Sequence, residues 1–242
     1  KVIPVVLFPL LLLHESKRGG WRRALEYSVP VLGVIGLSFA PFLLGWSIKP
    51  IIDSWNVHFV RLGAFSPMSI LLLFGINLST DGLGLLGYLW LPSLIPIYYL
   101  LSKRSITKPS DLILAGLAVM LSLSLTRPWV SEQNLNFVLP LVLLASIAQS
   151  WPRRWVTATW VLPLVFAFLN TFPLQMLFLV APESVLQPVS LDQLELDIAR
   201  MALVLITMIW LIIGLGLLKK SIEECGASVR PRKSDPSVPK DF

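Results

Sequence analysis

Three polar clusters interrupt an otherwise apolar chain, and they hold most of the side chains able to do chemistry. The densest is Thr126-Arg127-Pro128-Trp129-Val130-Ser131-Glu132-Gln133-Asn134-Leu135-Asn136. A guanidinium offers a planar fork that fits two phosphate oxygens, while a carboxylate and amides suit the hydroxyls of a sugar. Part of this stretch has a purely structural use, with Ser131 as the N-cap of the next helix and Glu132 at its positive end. A cap makes no use of Arg127, Gln133 and Asn134, so a ligand-contacting role is the favoured reading. The second cluster is Asp53-Ser54-Trp55-Asn56-Val57-His58-Phe59-Val60-Arg61. At helical spacing Ile51, Ile52, Trp55 and Phe59 form an apolar side, as in a helix lying along a membrane surface. Two uses stay open: a simple anchor, or a helix whose His58 and Arg61, three apart, meet an anionic headgroup or phosphate. In the third cluster, Asp192-Gln193-Leu194-Glu195-Leu196-Asp197, Ser190-x-x-Gln193 is a capping box and the acids complement the helix dipole. That cluster reads as a cap.

Other chemistries find little support. Gly82-Leu83-Gly84-Leu85-Leu86-Gly87 has the spacing of a dinucleotide fingerprint, which needs a preceding strand and a βαβ unit. Here the glycines open an apolar helix, where small residues allow close packing. His14 and His58 are the only histidines and Cys225 the only cysteine, so neither a clustered metal site nor an internal disulfide is expected. No nucleophile–base pair can be assembled around either histidine. Asn77-Leu78-Ser79 is a glycosylation sequon at the end of an apolar run, expected to stay unmodified.

The elements that position these clusters must be membrane helices. The chain has 242 residues, 55% hydrophobic and 14% charged, with a mean hydropathy of +0.75. Soluble domains carry roughly a quarter charged residues. This composition excludes a disordered chain and a disulfide scaffold, and a DNA-binding domain despite a pI near 9.7. A bilayer core of about 30 Å needs around 20 apolar residues per helix. The candidate spans are Val2–Leu13, Tyr27–Trp46, Leu83–Leu101, Leu112–Leu125, Phe137–Ala148, Val156–Leu179 and Ala199–Leu218. The shorter run Met68–Leu78 reads as re-entrant or interfacial. The expected fold is therefore all-α, a polytopic transmembrane helix bundle of about seven spans plus one short external segment. Beginning at Lys1 inside an apolar run, it reads as the C-terminal part of a longer protein.

With Met68–Leu78 not spanning, 15 of the 20 Lys+Arg fall on one side of the membrane, including Lys17–Arg23, Lys103–Lys108, Arg153–Arg154 and the tail. The positive-inside rule makes that side, and the C-terminus, cytoplasmic. Membrane lipids are thus the expected partners of the basic loops, through anionic headgroups, and nucleic acid is not. The expected organisation is a helical domain over 1–220 and a disordered cytoplasmic tail over 221–242, rich in Ser, Pro and charge. The longer, chemically varied segments lie outside, so any function carried by this chain is expected there.

Three of these features, in order, resemble polyprenol-phosphate-sugar-dependent glycosyltransferases of the GT-C superfamily, above all the GPI mannosyltransferase I type and its prokaryotic relatives. Lys1-Val2-Ile3-Pro4-Val5-Val6-Leu7-Phe8-Pro9 looks like the K-x-x-P-x-x-x-x-P signature that opens a membrane helix in these enzymes. The His58–Arg61 pair followed by Ser66-Pro67-Met68-Ser69 is similar to their short external helix and broken span. Ser131-Glu132-Gln133-Asn134 leading into Leu139-Pro140-Leu141 resembles their Ser-x-Gln stretch before a Leu-Pro-Leu helix. The likeness runs from Lys1 to about Pro140. It implies a glycosyltransferase, most simply a mannosyltransferase, of the prokaryotic plasma membrane or endoplasmic reticulum. Its partners would be a lipid-linked sugar donor and a glycan or glycolipid acceptor, with no soluble cofactor. The family's catalytic acids lie upstream of this chain, so no catalytic residue is assigned here. Lys1, His58, Arg61, Arg127, Glu132, Gln133 and Asn134 are the candidate donor-phosphate and substrate contacts, with no metal.

Two other classes compete. Proline-rich spans are a transporter or lipid-flippase device, although these spans hold almost nothing ionisable at depth, which a polar pathway normally requires. A non-catalytic subunit would explain the missing catalytic set and would need an obligate membrane partner.

Overall fold

The computed structural model describes residues 3–45, 47–50, 52–53, 63–76, 84–130, 132–171 and 193–227. The described residues are mostly helical (85%), and among them four helices are long and apolar enough to cross a membrane. The helices are α1 (Ile3–Leu44), α2 (Ile70–Leu73), α3 (Trp90–Ser102), α4 (Pro109–Thr126), α5 (Val138–Gln149), α6 (Arg153–Thr171) and α7 (Gln193–Glu224). Two short strands, β1 (Gly63–Ala64) and β2 (Trp129–Val130), and 3-10 turns at Pro67–Ser69, Gly84–Tyr88 and Glu132–Phe137 complete the described elements.

The hub is α4, which packs against α1, α3, α5 and α7. In its apolar window 72% of residues are buried, against 6% for α1. Its sequence explains the role: a run that is apolar all round, PSDLILAGLAVMLSLSLT, has no polar face to turn outward. Leu114, Ala115, Leu117, Ala118, Val119 and Leu121 are fully buried. The approach of α7 is close where Gly214 meets Leu125: a Cβ there would lie 2.7 Å from Leu125 Cδ2.

Several expectations are refined. The stretch His14–Arg23, expected as a loop between two spans, is helical through Gly19 and breaks only at Gly20 (φ 75°, ψ −177°). Glycine alone adopts that conformation without strain. Past the break, α1 carries large apolar side chains that face outward, among them Val29, Val34 and Leu37. Met68–Leu78 does not cross the bundle: its described part is a 3-10 turn and the short α2, ending in a turn at Phe74–Gly75. The last helix starts ahead of Ala199, at Gln193, and runs past residue 220 to Glu224. The helix expected around Ile51–Arg61 is described only at its start, where Ile52 N–H donates to the Ile48 carbonyl (3.2 Å). Ser190, the sequon and the tail beyond residue 227 lie outside the described residues.

The basic segments meet at one end of the bundle. His14 Nδ1 donates to the Ile106 carbonyl (2.8 Å) and Lys17 Nζ to the Ser102 carbonyl (2.6 Å). Buried Asp111 accepts from the N–H of Lys108 (3.2 Å) and of Gly226 (3.1 Å), tying the start of α4 to the end of α7. Trp151 Nε1 donates to Glu224 (2.6 Å), adding the α5–α6 turn. Since α4 has 18 residues, its other end lies about 27 Å away at 1.5 Å per residue, close to one hydrocarbon thickness. That far end carries Arg127.

Candidate functional site

Arg127 follows the last turn of α4. Its N–H still donates to Leu123 (3.1 Å), but its backbone is extended (φ −76°, ψ 135°), so the chain leaves the helix there. A hydroxyl ladder holds this helix end in place. Thr126 Oγ1 bonds the Ser122 carbonyl (2.7 Å), and Ser93 Oγ of α3 lies 2.8 Å from Thr126 Oγ1 and 3.3 Å from Ser122 Oγ. Small hydroxyls suit such a contact, because each satisfies itself locally while letting the two backbones approach.

The segment beyond Arg127 is stitched to a distant part of the chain. Gly63 pairs with Trp129 and Ala64 with Val130, in parallel, and Phe65 N–H continues the ladder to the Val130 carbonyl (2.7 Å). Ser66 Oγ then donates to the Arg127 carbonyl (2.6 Å) while accepting from Met68 N–H (3.2 Å), which caps the Pro67–Ser69 turn. Proline at the first turn position has no N–H to leave unsatisfied. The corner is wedged inward. Phe65, fully buried, packs edge-on to Phe166 of α6 at 5.0 Å and against Trp210 of α7 at 5.7 Å. Ser69 Oγ lies 3.4 Å from Thr207 Oγ1.

The Arg127 guanidinium sits half-buried beside this corner. Its Nε is buried without a hydrogen-bond partner among the described residues, and desolvation lowers its pKa from the ordinary arginine value. Burial penalises the charged form, and an anion nearby would offset that penalty. Arginine stays protonated in proteins, so the site is a fixed cation with an unused donor.

Of the other residues singled out by sequence, Glu132, Gln133 and Asn134 open the 3-10 turn Glu132–Phe137, and their backbones follow β2 directly; their side chains lie outside the description, as do Lys1, His58 and Arg61. The structure therefore joins the segment just after Arg61 to the one holding Arg127 and Glu132. Sequence reasoning missed Phe65 and the hydroxyl ladder. The spacing of Ser122 and Thr126, one helical turn apart, was the available signal for the ladder; nothing local announces Phe65 as the residue that seats the corner.

One cavity of about 240 Å³ lies beside the same loop. It runs from Leu135 and Asn136, in the turn after Asn134, along α6 past Thr159, Trp160, Pro163 and Ala167. Thr159 is buried and donates to the Trp155 carbonyl (2.7 Å). Pro163 has no N–H to give the Thr159 carbonyl one turn earlier.

Fold and site together define a helical bundle of membrane-protein type with a half-buried cation at one end. Comparison with protein families, with curated proteins and with solved structures finds no match for this chain.

Proposed function

We propose that this chain belongs to an integral membrane glycosyltransferase, most simply a mannosyltransferase, that takes its sugar from a polyprenyl-phosphate-linked donor. The observation that supports this reading is the pairing of residues 63–66 with 127–130, beside which the Arg127 Nε is buried without a hydrogen-bond partner among the described residues. A lipid phosphate at headgroup depth supplies the anion that such a guanidinium lacks, and the fork geometry accepts two of its oxygens. In the reaction the bond between the anomeric carbon and phosphate oxygen breaks, and a new bond forms to an acceptor hydroxyl oxygen. The hydroxyl proton passes to a carboxylate, and polyprenyl phosphate leaves. Fixed cations stabilise the charge that grows on the leaving phosphate. Arg127 is the first candidate for that role. Arg61 has a short tether to the same place, since it precedes β1 by two residues.

In this reading about seven spans cross the membrane, the Arg127 end faces outward or lumenally, and the basic end with the C-terminus is cytoplasmic. Glu132, Gln133 and Asn134 meet sugar hydroxyls. The test is sugar transfer by the full-length protein in liposomes, using radiolabelled polyprenyl-phosphate sugars and a panel of glycolipid acceptors. Turnover with a mannosyl donor is expected. Intact donor binding without turnover on any acceptor would count against an enzyme, and flux of the donor across the liposome wall would establish the flippase reading.

A further inference from the structure

We infer that the start of α6 and the end of α7 together bind the headgroup of an anionic glycerophospholipid. The site lies at the basic end of the bundle, away from Arg127, and does not depend on the transferase reading.

Three observations carry it. First, the two helix ends share one level, at the edge of the apolar layer. A Cβ on Gly216 of α7 would lie 3.2 Å from the Trp155 ring of α6, and Trp151 Nε1 donates to Glu224 (2.6 Å). No charged residue follows Arg154 within α6, and none lies between Arg200 and Lys219 on α7. Arg153, Arg154, Lys219 and Lys220 are thus the first charges beyond the apolar stretches of both helices, and tryptophans at such a boundary mark headgroup level. Second, the carboxylates there are already spent. Glu224 meets Lys220 Nζ at 2.8 Å and Trp151 Nε1 with its other oxygen, while Glu223 lies 3.9 Å from Lys219 Nζ. Arg153 and Arg154 are exposed, and neither forms a salt bridge among the described residues. Third, the first turn of α6 holds no acid, so both arginines stand at the positive end of the helix dipole, where cations destabilise a helix. An anion from outside the chain offsets that cost.

The chemistry favours a lipid phosphate. Arg154 Cζ lies 5.9 Å from the Trp155 ring centroid and Lys220 Nζ 5.3 Å from that of Trp151. A cation over a ring is held in place without using its N–H donors, and guanidinium forks match phosphate oxygens. Adjacent cations select a headgroup with net negative charge, because a zwitterionic one brings its own positive group against them. The Lys103–Lys108 turn belongs to the same end of the bundle, but its exposed cations, Lys103 and Lys108, are ammonium point charges. It shares the general attraction of basic segments for anionic lipid without the arginine pair, and so supplies the control.

The experiment counts, by native mass spectrometry, the lipids that full-length protein in neutral detergent retains as phosphatidylglycerol or phosphatidylcholine is titrated in. Phosphatidylglycerol is expected to be retained in preference, at one molecule per protein. Arg153→Gln combined with Arg154→Gln should weaken that binding by about thirtyfold, the usual gain from two basic residues at an anionic surface. Lys103→Gln combined with Lys108→Gln removes the same charge from the same end and should weaken it by less than about threefold, since solvent and salt screen charges that do not touch the lipid. Equal losses in the two pairs would mean general attraction and overturn the site, as would equal retention of phosphatidylcholine. Displacement of the lipid by glycerol 3-phosphate at similar concentration would assign the cations to a soluble anion and overturn the lipid. Polyprenyl phosphate outcompeting phosphatidylglycerol would make this a substrate site and overturn the inference too. Should the arginine double variant fail to fold, Arg153→Gln and Arg154→Gln singly, each expected to lose about fivefold, decide the same question. Lipid counting needs no turnover, so failure of the transferase reading would leave this result unaffected.

Discussion

Replacing Arg127 by methionine should separate what this residue costs from what it does. The side chain has a buried Nε with no partner among the described residues, and a buried unsatisfied donor costs about 1–3 kcal/mol. Half-burial leaves part of the guanidinium hydrated, so the lower end applies. Methionine keeps the aliphatic length, and the backbone bonds of residue 127 to Leu123 and Ser66 do not depend on the side chain. Arg127→Met is therefore expected to stabilise the ligand-free protein by on the order of 1 kcal/mol, as replacements of uncompensated buried charge commonly do, and to abolish transfer. Arg127→Lys keeps a charge but loses the fork, and the loss of one charged contact to the leaving phosphate is worth on the order of 2–4 kcal/mol, or about 10²–10³ in rate. The assay pairs thermal denaturation in detergent with transfer rates at matched protein. Asp197→Asn, in the acidic first turn of α7, is the control and should transfer at close to the wild-type rate. A lowered denaturation midpoint for Arg127→Met together with wild-type transfer by Arg127→Lys would refute the reasoning, because the guanidinium would then be a structural prop.

Ser66→Ala removes both the bond to the Arg127 carbonyl and the cap on Met68 N–H. A loss of about 1–2 kcal/mol in stability is expected, with a fall in transfer rate that Ser66→Thr partly restores, measured in the same two assays. Gly214→Val drives a side chain into Leu125, whose Cγ would stand 3.3 Å from the new Cβ. Overpacking of this kind costs typically 1–3 kcal/mol, and Leu125→Ala in the same protein should recover most of the lost denaturation midpoint. The Cys225 thiol, fully buried, is pushed up to about 11 from 9.0, first by desolvation and then by Asp111. The folded protein holds this proton through pH values at which an unfolded chain gives it up. Its stabilising contribution is therefore complete below pH 9 and is lost as pH rises from 9 to about 11. Iodoacetamide should label folded protein slowly at pH 8 and denatured protein fast; equal rates would refute it.

Much of the bundle was legible because apolar runs of sufficient length leave few alternatives. The Pro109–Thr126 helix extends the expected Leu112–Leu125 by little, and the half-length run after Pro67 is confined to a short turn and α2. Gly20 shows where such reasoning stops. The ten residues His14–Arg23, nearly all polar or small, look like a loop, yet most have adequate helix propensity. Glu15 also draws Arg23 across the break, with Nε–Oε2 at 2.8 Å, so one glycine suffices to redirect the chain. Arg127 was legible as a residue type out of place. Its partner segment was not, because parallel pairing of residues 63–64 with 129–130 depends on a long sequence separation that no local pattern encodes.

The position of the cation follows from the same physics that made the helix before it so apolar. A charge in the middle of α4 would have no water and no partner, and such placements are rare without a pathway or counterion. Immediately past Thr126 the helix has ended, and the Ser93, Ser122 and Thr126 hydroxyls tie its last turn to α3. The carbonyl of Arg127 is then taken by Ser66, while the Arg127 Nε, like the Nε1 of Trp210 across Phe65, is a buried donor without a hydrogen-bond partner among the described residues. Buried donors normally find an acceptor, and an anion beside the Arg127 Nε would offset the cost of its burial.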